Sequence, residues 1–250
     1  GIKGSSGDFS YLLRGNMTDN QNFSSPDGEV DNTWFQEYDF QGGLKYQSEK
    51  FSSDLRLSMN ISELGIPHME EGHDDHDDHD DHEGHDDHDD HEGHEDHYQE
   101  LSHTMLTWKN NFDLGNNHDL EITLGRQFNE RREFGGHGEE EGHDDHDDHD
   151  DHDDHDDHGH GGSGAELDME LTTNTIDVGL TMPQSDNFNM ILGSNILSQE
   201  NKNFGHEELI PDADMNDFGV YGLGQITMEN GSALIGVRYD SRSITSEMGS

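Results

Sequence analysis

Sixteen of the 21 histidines fall at or near every third position in two tracts. His73, His76, His79, His82, His85, His88, His91, His94 and His97 make the first. His143, His146, His149, His152, His155 and His158, followed by His160, make the second. Pairs such as Asp-Asp and Glu-Gly fill the gaps. Neutral imidazole with carboxylate is a nitrogen–oxygen ligand set. It suits Zn²⁺ best, with Ni²⁺, Co²⁺, Cu²⁺ and Fe²⁺ as competitors. The chain has no cysteine, which excludes thiolate zinc sites and disfavours Cu⁺. Calcium takes oxygen ligands and would leave the histidines unexplained. A period of three matches neither helix nor strand, but it does match polyproline-II geometry. Dense carboxylates repel one another, so the metal-free tracts are expected to be extended and mobile. Such tracts offer many overlapping weak sites, which capture and concentrate ions without stringent selection. Neighbouring acids favour imidazolium, so protons compete with metal below about pH 6–7.

The same tracts dominate the charge. The 250 residues carry a formal −47. Residues 70–97 hold 16 acids and 139–158 hold 13, with no Lys or Arg in either. The rest of the chain keeps 30 acids against 12 bases, a net of −18. Nucleic acid is excluded as a partner, because phosphate binding needs clustered cations; divalent metal ions are the natural one. No nucleophile elbow, Gly-rich phosphate loop or HExxH is present, so no enzyme activity is expected. The opening Gly1-Ile2-Lys3-Gly4 reads as sequence from within a longer protein, with no signal peptide in view. Five histidines stand apart. His68 and His137 flank the tracts, and His103 is expected on a strand facing a lumen. His118 reads as a polar turn residue, and His206 lies with Glu207 and Glu208 in a long loop. Met105, Met169 and Met190 read as lipid-facing or packing residues.

What must position the tracts is a set of strands. Apolar residues alternate strictly in 51–61: Phe51, Ser53, Leu55, Leu57, Met59 and Ile61 share one face, with polar residues between. The pattern predicts about nine strands, at 7–18, 33–46, 50–62, 98–113, 119–133, 166–182, 187–199, 216–228 and 233–244, with 98–113 the weakest. Most are about twice the 5–6 residues usual in soluble sheets, and long enough for tilted bilayer-spanning strands of about 9–11. Short turns near 47–49, 114–118, 183–186 and 229–232 alternate with long loops at 19–32, 63–97, 134–165 and 200–215. In an up-and-down meander, all long loops then fall on one side. Aromatics gather at strand ends: Phe9, Tyr46, Phe51, Phe112 and Phe188 near the turns, and Trp34, Tyr98, Phe128, Phe134 and Phe218 near the loops. This is the outer-membrane pattern of long external loops, short periplasmic turns and two aromatic girdles. A soluble antiparallel sandwich would explain the alternation but not the strand length or the segregated loops. The expected fold is all-β: an antiparallel up-and-down transmembrane β-barrel segment, carrying the tracts 70–97 and 137–160 as extracellular loops.

The later strands resemble a family. Leu167-Asp168-Met169-Glu170-Leu171-Thr172-Thr173-Asn174-Thr175 leads into an apolar alternation. Leu192-Gly193-Ser194-Asn195, an Asn-rich loop, Glu208-Leu209-Ile210-Pro211 and Gly236-Val237-Arg238-Tyr239-Asp240 then follow in order. This order resembles the barrel of TonB-dependent outer-membrane receptors of Gram-negative bacteria. The resemblance implies a 22-stranded barrel, a plug domain and an energy-transducing TonB-type partner. The chain shows neither the plug nor the TonB-contacting segment, so it is expected to be part of such a receptor. The histidine-rich loops resemble, in loop character only, the zinc-uptake branch. The expected function is capture of divalent metal, zinc foremost, for uptake. The alternatives are an acidic metal-buffering surface protein without transport, and a receptor for a metal chelate or other nutrient with inert acidic loops.

Overall fold

A computed structural model describes residues 1–26, 28–67, 97–135, 164–185, 187–205 and 210–246, Gln184 by its backbone alone. The elements are β1 (Ile2–Ser6), β2 (Phe9–Asn20), β3 (Ser24–Ser25), β4 (Gly28–Glu29), β5 (Phe35–Gln47), β6 (Phe51–Gly65), β7 (Tyr98–Gly115), β8 (His118–Phe134), β9 (Leu167–Ser185), β10 (Phe188–Asn203), β11 (Ala213–Met228) and β12 (Gly231–Ser246). Ten of them pair in chain order, β1-β2-β5-β6-β7-β8-β9-β10-β11-β12, and β3-β4 is a small separate hairpin. Every pairing is antiparallel. The sheet is open, with β1 and β12 as its edges among the described residues.

All nine expected strands are present. The structure adds β1, which has one large apolar residue in five and so carries no readable alternation. It also adds the β3-β4 hairpin inside the first long loop. Strands outrun the apolar pattern: β10 continues through Glu200-Asn201-Lys202-Asn203, because the backbone ladder needs no apolar side chain. The weakest expected strand is the 18-residue β7. Ser102, Thr104 and Asn110 sit on its apolar face and blur the signal.

Turn chemistry fixes the register at one edge of the sheet. Gly115 pairs with His118, leaving Asn116 and Asn117 as a two-residue turn with φ of 53° and 58°. Two left-handed residues in succession are what a type I′ hairpin requires, and asparagine tolerates them. The two register irregularities, at Asp113/Gly115 and Phe188/Asn189, both lie beside turns.

One face of the sheet carries an apolar band. Pairing places Leu44, Leu55, Trp108, Leu124 and Ile176 in one row. In the next row lie Leu57 and Leu106. Among the described residues these side chains have no second layer to pack on. Val237 is 74% exposed and Ile235 68%, and the only buried apolar residues described are Ala165 and Leu167. A soluble monomer does not expose an apolar surface of this extent. Phe51 to Ile61 spans about 33 Å at about 3.3 Å per residue, or about 25 Å of height at a tilt of about 40°, the height of an outer-membrane apolar band. Trp108 donates Nε1–H to Ser53 Oγ at 2.8 Å, which satisfies the one polar atom its indole carries onto that face.

Phe9, Tyr46, Phe51 and Phe112 form a continuous belt at the turn edge, with ring centroids 5.0, 6.1 and 4.9 Å apart. The loop-edge aromatics Trp34, Tyr98 and Phe134 lie at the loop ends of their strands. Tyr98 stacks on Phe134 at 4.6 Å and Trp34 lies 6.5 Å from Tyr98. A row of charge separates this cluster from the apolar band on the same strands: Glu63, Glu100, Arg132 and Asp168 pair in register. Arg132 reaches Glu130, Asp168 at 3.5 Å and Glu100 at 3.9 Å. The Trp34–Tyr98–Phe134 cluster therefore sits at the loop roots, beyond the apolar band.

Candidate functional site

The long connections 66–97, between β6 and β7, and 135–166, between β8 and β9, carry the two histidine tracts. His73, His76, His79, His82, His85, His88, His91 and His94 lie outside the described residues, as do His143, His146, His149, His152, His155, His158 and His160. So do His68, His137 and His206. The roots of both tracts are described, with His97 the one tract histidine among them.

Those roots adjoin. The four strands are consecutive neighbours, so their ends fall in a line about 15 Å long at about 4.8 Å per interstrand step. Gly65 pairs with Tyr98, Tyr98 with Phe134, and Glu133 with Leu167. The last residue of the first tract touches the residue that opens the second connection: a Cβ added at Gly135 would lie 2.7 Å from His97 Cα. Gly135 also has φ of 110°, so glycine is required there on two counts.

Asn32, from the first long loop, clamps the roots of the first tract. Its Nδ2 donates to Ile66 O at 2.8 Å and His97 O at 2.6 Å. Its Oδ1 accepts from Trp34 Nε1 at 2.9 Å. Ile66 N donates to His97 O at 2.8 Å, closing the base of the tract. Asn32 is buried and left-handed, with φ of 54°. Sequence reasoning did not find it, since a lone asparagine in a polar loop carries no signal. Replacing it with Ala removes two donors from part-buried carbonyls and imposes a poor φ. The expected cost is about 1–3 kcal/mol, seen as faster amide hydrogen exchange at Ile66 and Tyr98 with little change in β10-β11.

The second tract returns through buried backbone. Glu166 N donates to Glu133 O at 2.9 Å and Phe204 N to Asp168 O at 2.7 Å. A Cβ on Gly205 would lie 2.4 Å from Glu166 O, so the 204–212 connection presses directly on the tract's root.

The other face of the sheet is polar. His103 is on it, half-buried, as expected for a lumen-facing residue. His118 opens β8 and its Nδ1 lies 3.0 Å from Asn116 O, consistent with a turn role. Met190 shares the apolar face, but Met105 and Met169 take the polar parity, which alternation around them did not reveal. The Gly236–Asp240 segment now has a physical reading. Tyr239 and Val237 face the apolar side. Arg238 donates Nε to Asp240 and Nη2 to Asn195 Oδ1, each at 2.8 Å, and lies over the Tyr221 ring at 5.9 Å. A Cβ on Gly193 would lie 2.2 Å from Tyr221 Cζ, so that glycine makes room for the ring.

No family model matches the chain, and no curated protein does either. Solved structures do. The FrpB iron transporter from Neisseria meningitidis, F3-3 variant, matches with a TM-score of 0.64 at 12% identity, over 97% of this chain and 37% of that one. The apoprotein of its F5-1 variant matches at 0.62 and 14%, over 97% of this chain and 36% of that one. The fold is that of a TonB-dependent receptor barrel. The chain spans little more than a third of those structures, and its open ten-stranded sheet is an arc of such a barrel. On such a barrel the polar face would line the lumen and the apolar face would meet lipid.

Proposed function

We propose that this chain is the capture-loop wall of an outer-membrane, TonB-dependent metal transporter, with zinc as its principal cargo. One observation carries the reading. Both histidine–carboxylate tracts are rooted side by side on one edge of a sheet whose apolar face fits a bilayer. In this reading the long-loop edge faces the exterior, where ions arrive, and the short turns face the periplasm. The tracts raise the local ion concentration above the lumen. Passage then requires a plug and the TonB-type partner of the whole receptor.

The cargo rests on donor chemistry. Imidazole with carboxylate, and no thiolate, fits Zn²⁺ and, less tightly under the Irving–Williams order, Fe²⁺. Iron is the second reading, because the FrpB structures that share this fold are of an iron transporter. Growth of producing and non-producing cells under separate zinc and iron limitation decides between them. Advantage under zinc limitation alone supports the reading; advantage under iron limitation alone replaces zinc by iron. Ca²⁺ in hundredfold excess should leave loop-bound zinc in place, since hard oxygen-seeking ions do not compete for imidazole.

A further inference from the structure

The chain is poor in cations, yet it gathers them in one place. Of its 12 bases, four line a single cleft of about 1140 Å³ on the polar face: Lys3, Lys45, Arg56 and Lys109. Asp54 is the one acid among the lining residues. Register explains the gathering. Lys45, Asp54 and Lys109 form one row across β5, β6 and β7. Lys3, Leu12, Gly43, Arg56 and Thr107 form the next row, across β1, β2, β5, β6 and β7. Alternate positions share a face, so these side chains stand on the same side of the sheet. The ion pairs leave two of the cations unanswered. Arg56 Nε and Nη2 each donate to Asp54 at 2.9 Å, so one fork holds both carboxylate oxygens. Lys109 Nζ lies 2.8 Å from Glu121 Oε2, which does not line the cleft. Lys3 and Lys45 have no ion-pair partner among the described residues. Between the cations the floor is apolar and open. Leu12 and Met105 are exposed on this polar side. A Cβ at Gly43 would meet nothing nearer than Leu12 Cβ at 3.7 Å, so the missing side chain leaves a hollow between Leu12 and Arg56.

We propose that this cleft binds an organic polycarboxylate, with the four cations on its carboxylates and Leu12 and Met105 under its carbon skeleton. Charge sets the sign of the ligand. The lining residues carry four positive charges against one negative, in a chain of formal −47. A free dication is repelled there and an oxyanion is drawn in. Spacing sets the number of anionic groups. Lys45 and Lys109 are two interstrand steps apart, about 9.6 Å between Cα atoms, and Lys3 is two steps from Lys45 on the other side. Cations spread along the sheet suit several carboxylates on one body. A single phosphate is better served by a converging arginine fork, and the one fork here is held by Asp54. An apolar floor with a few placed polar groups is also the usual make-up of a small-molecule site. The proposal does not rest on loop capture, because the tracts are rooted at the other end of the strands and their acids repel the same ligand. Metal reaches this cleft only as an anionic chelate.

The test measures binding of radiolabelled citrate to the intact protein in native membranes, in metal-free buffer. Binding should saturate, and excess tricarballylate should displace it where equal concentrations of inorganic phosphate or acetate do not. Lys3→Gln and Lys45→Gln should each weaken it about tenfold, the loss expected for one charge-assisted contact. Gly43→Leu should abolish it, because the new side chain fills the hollow without meeting the backbone. Lys50→Gln, at a turn lysine outside the cleft, should leave it unchanged. Barrel folding of each variant is checked by heat-modifiable gel migration. No saturable citrate binding, or equal losses in Lys45→Gln and Lys50→Gln, overturns the site. Displacement by phosphate as effective as by tricarballylate overturns the polycarboxylate assignment. Deleting both tracts should leave citrate binding at its full level, so a failure of loop capture and a failure of this cleft are read separately; binding lost with the tracts overturns the cleft as its seat.

Discussion

Deleting both tracts, with Ile66 joined to His97 and Gly135 to Gly164 by short Gly-Ser turns, should lower zinc uptake about tenfold when zinc is scarce. Uptake at abundant zinc should barely change. The reasoning is mass action. The deletion removes fifteen of the sixteen tract imidazoles and all 29 tract carboxylates from one edge of the barrel. Their contribution is local concentration, which matters only when the lumen is far from saturation. The barrel should survive the change, because each root is tied by contacts below the excised residues. Gly65 N donates to Trp34 O at 3.0 Å and Glu166 N to Glu133 O at 2.9 Å. Removing either tract alone should cost less than half of the total effect, because the roots lie within about 15 Å and the remaining tract serves the same mouth. Uptake unchanged at scarce zinc would sink the capture role and favour a receptor with inert acidic loops. Zinc retained by cells without entry would favour the buffering reading. Iron-dependent growth of the same deletion serves as the internal comparison.

The second large effect is on pH. A tract that ligates zinc through two imidazoles must lose both protons to do so, and free imidazole titrates near pH 6.5. Between pH 7.5 and 5.5 each imidazole becomes about tenfold scarcer in its neutral form, so zinc affinity should fall about a hundredfold. The sign is fixed by the ligand: protonation removes the lone pair, so acid weakens binding. The many carboxylates stabilise imidazolium and move the onset toward neutrality. Calorimetric titration of a peptide covering 71–97 with Zn²⁺ at the two pH values measures this directly. Affinity that stays flat between pH 5 and 7.5 would exclude imidazole ligation and leave carboxylates as the only donors. Ca²⁺, bound through oxygen alone, should show little dependence over the same range.

Most of the scaffold was legible because a membrane barrel writes its two faces as odd and even positions. Phe51 to Ile61 gave β6 and its lipid face outright, and loop length gave the sidedness of the meander. The illegible parts have physical causes. β1 is short and its pairing comes from the neighbouring β2. β7 hides polar residues on its apolar face, Asn110 among them, which the pairing accommodates. The loop-edge aromatics were legible by their position along the strands, but the charged row of Glu100 and Arg132 between Tyr98, Phe134 and the apolar band was not. The tracts were read as ligands from type and spacing alone. The adjacency of their roots followed from chain-order pairing, while Asn32 and the His97–Gly135 contact needed coordinates. His103 was visible as a strand histidine; the gathering of Lys3, Lys45 and Lys109 around one cleft was not.

The pinned roots also decouple two properties that usually constrain each other. Asn32, His97 and Gly135 hold the ends of the connections whatever lies between them. Loop-closure entropy grows only with the logarithm of length, so doubling a tract costs about 0.6 kcal/mol. Triplets of one histidine and two acids can thus be gained or lost, as repetitive DNA readily does, with almost no penalty to the barrel. Under the proposed capture reading, ion-holding capacity becomes a quantity that drifts and is tuned by repeat number, while the wall beneath it stays the same.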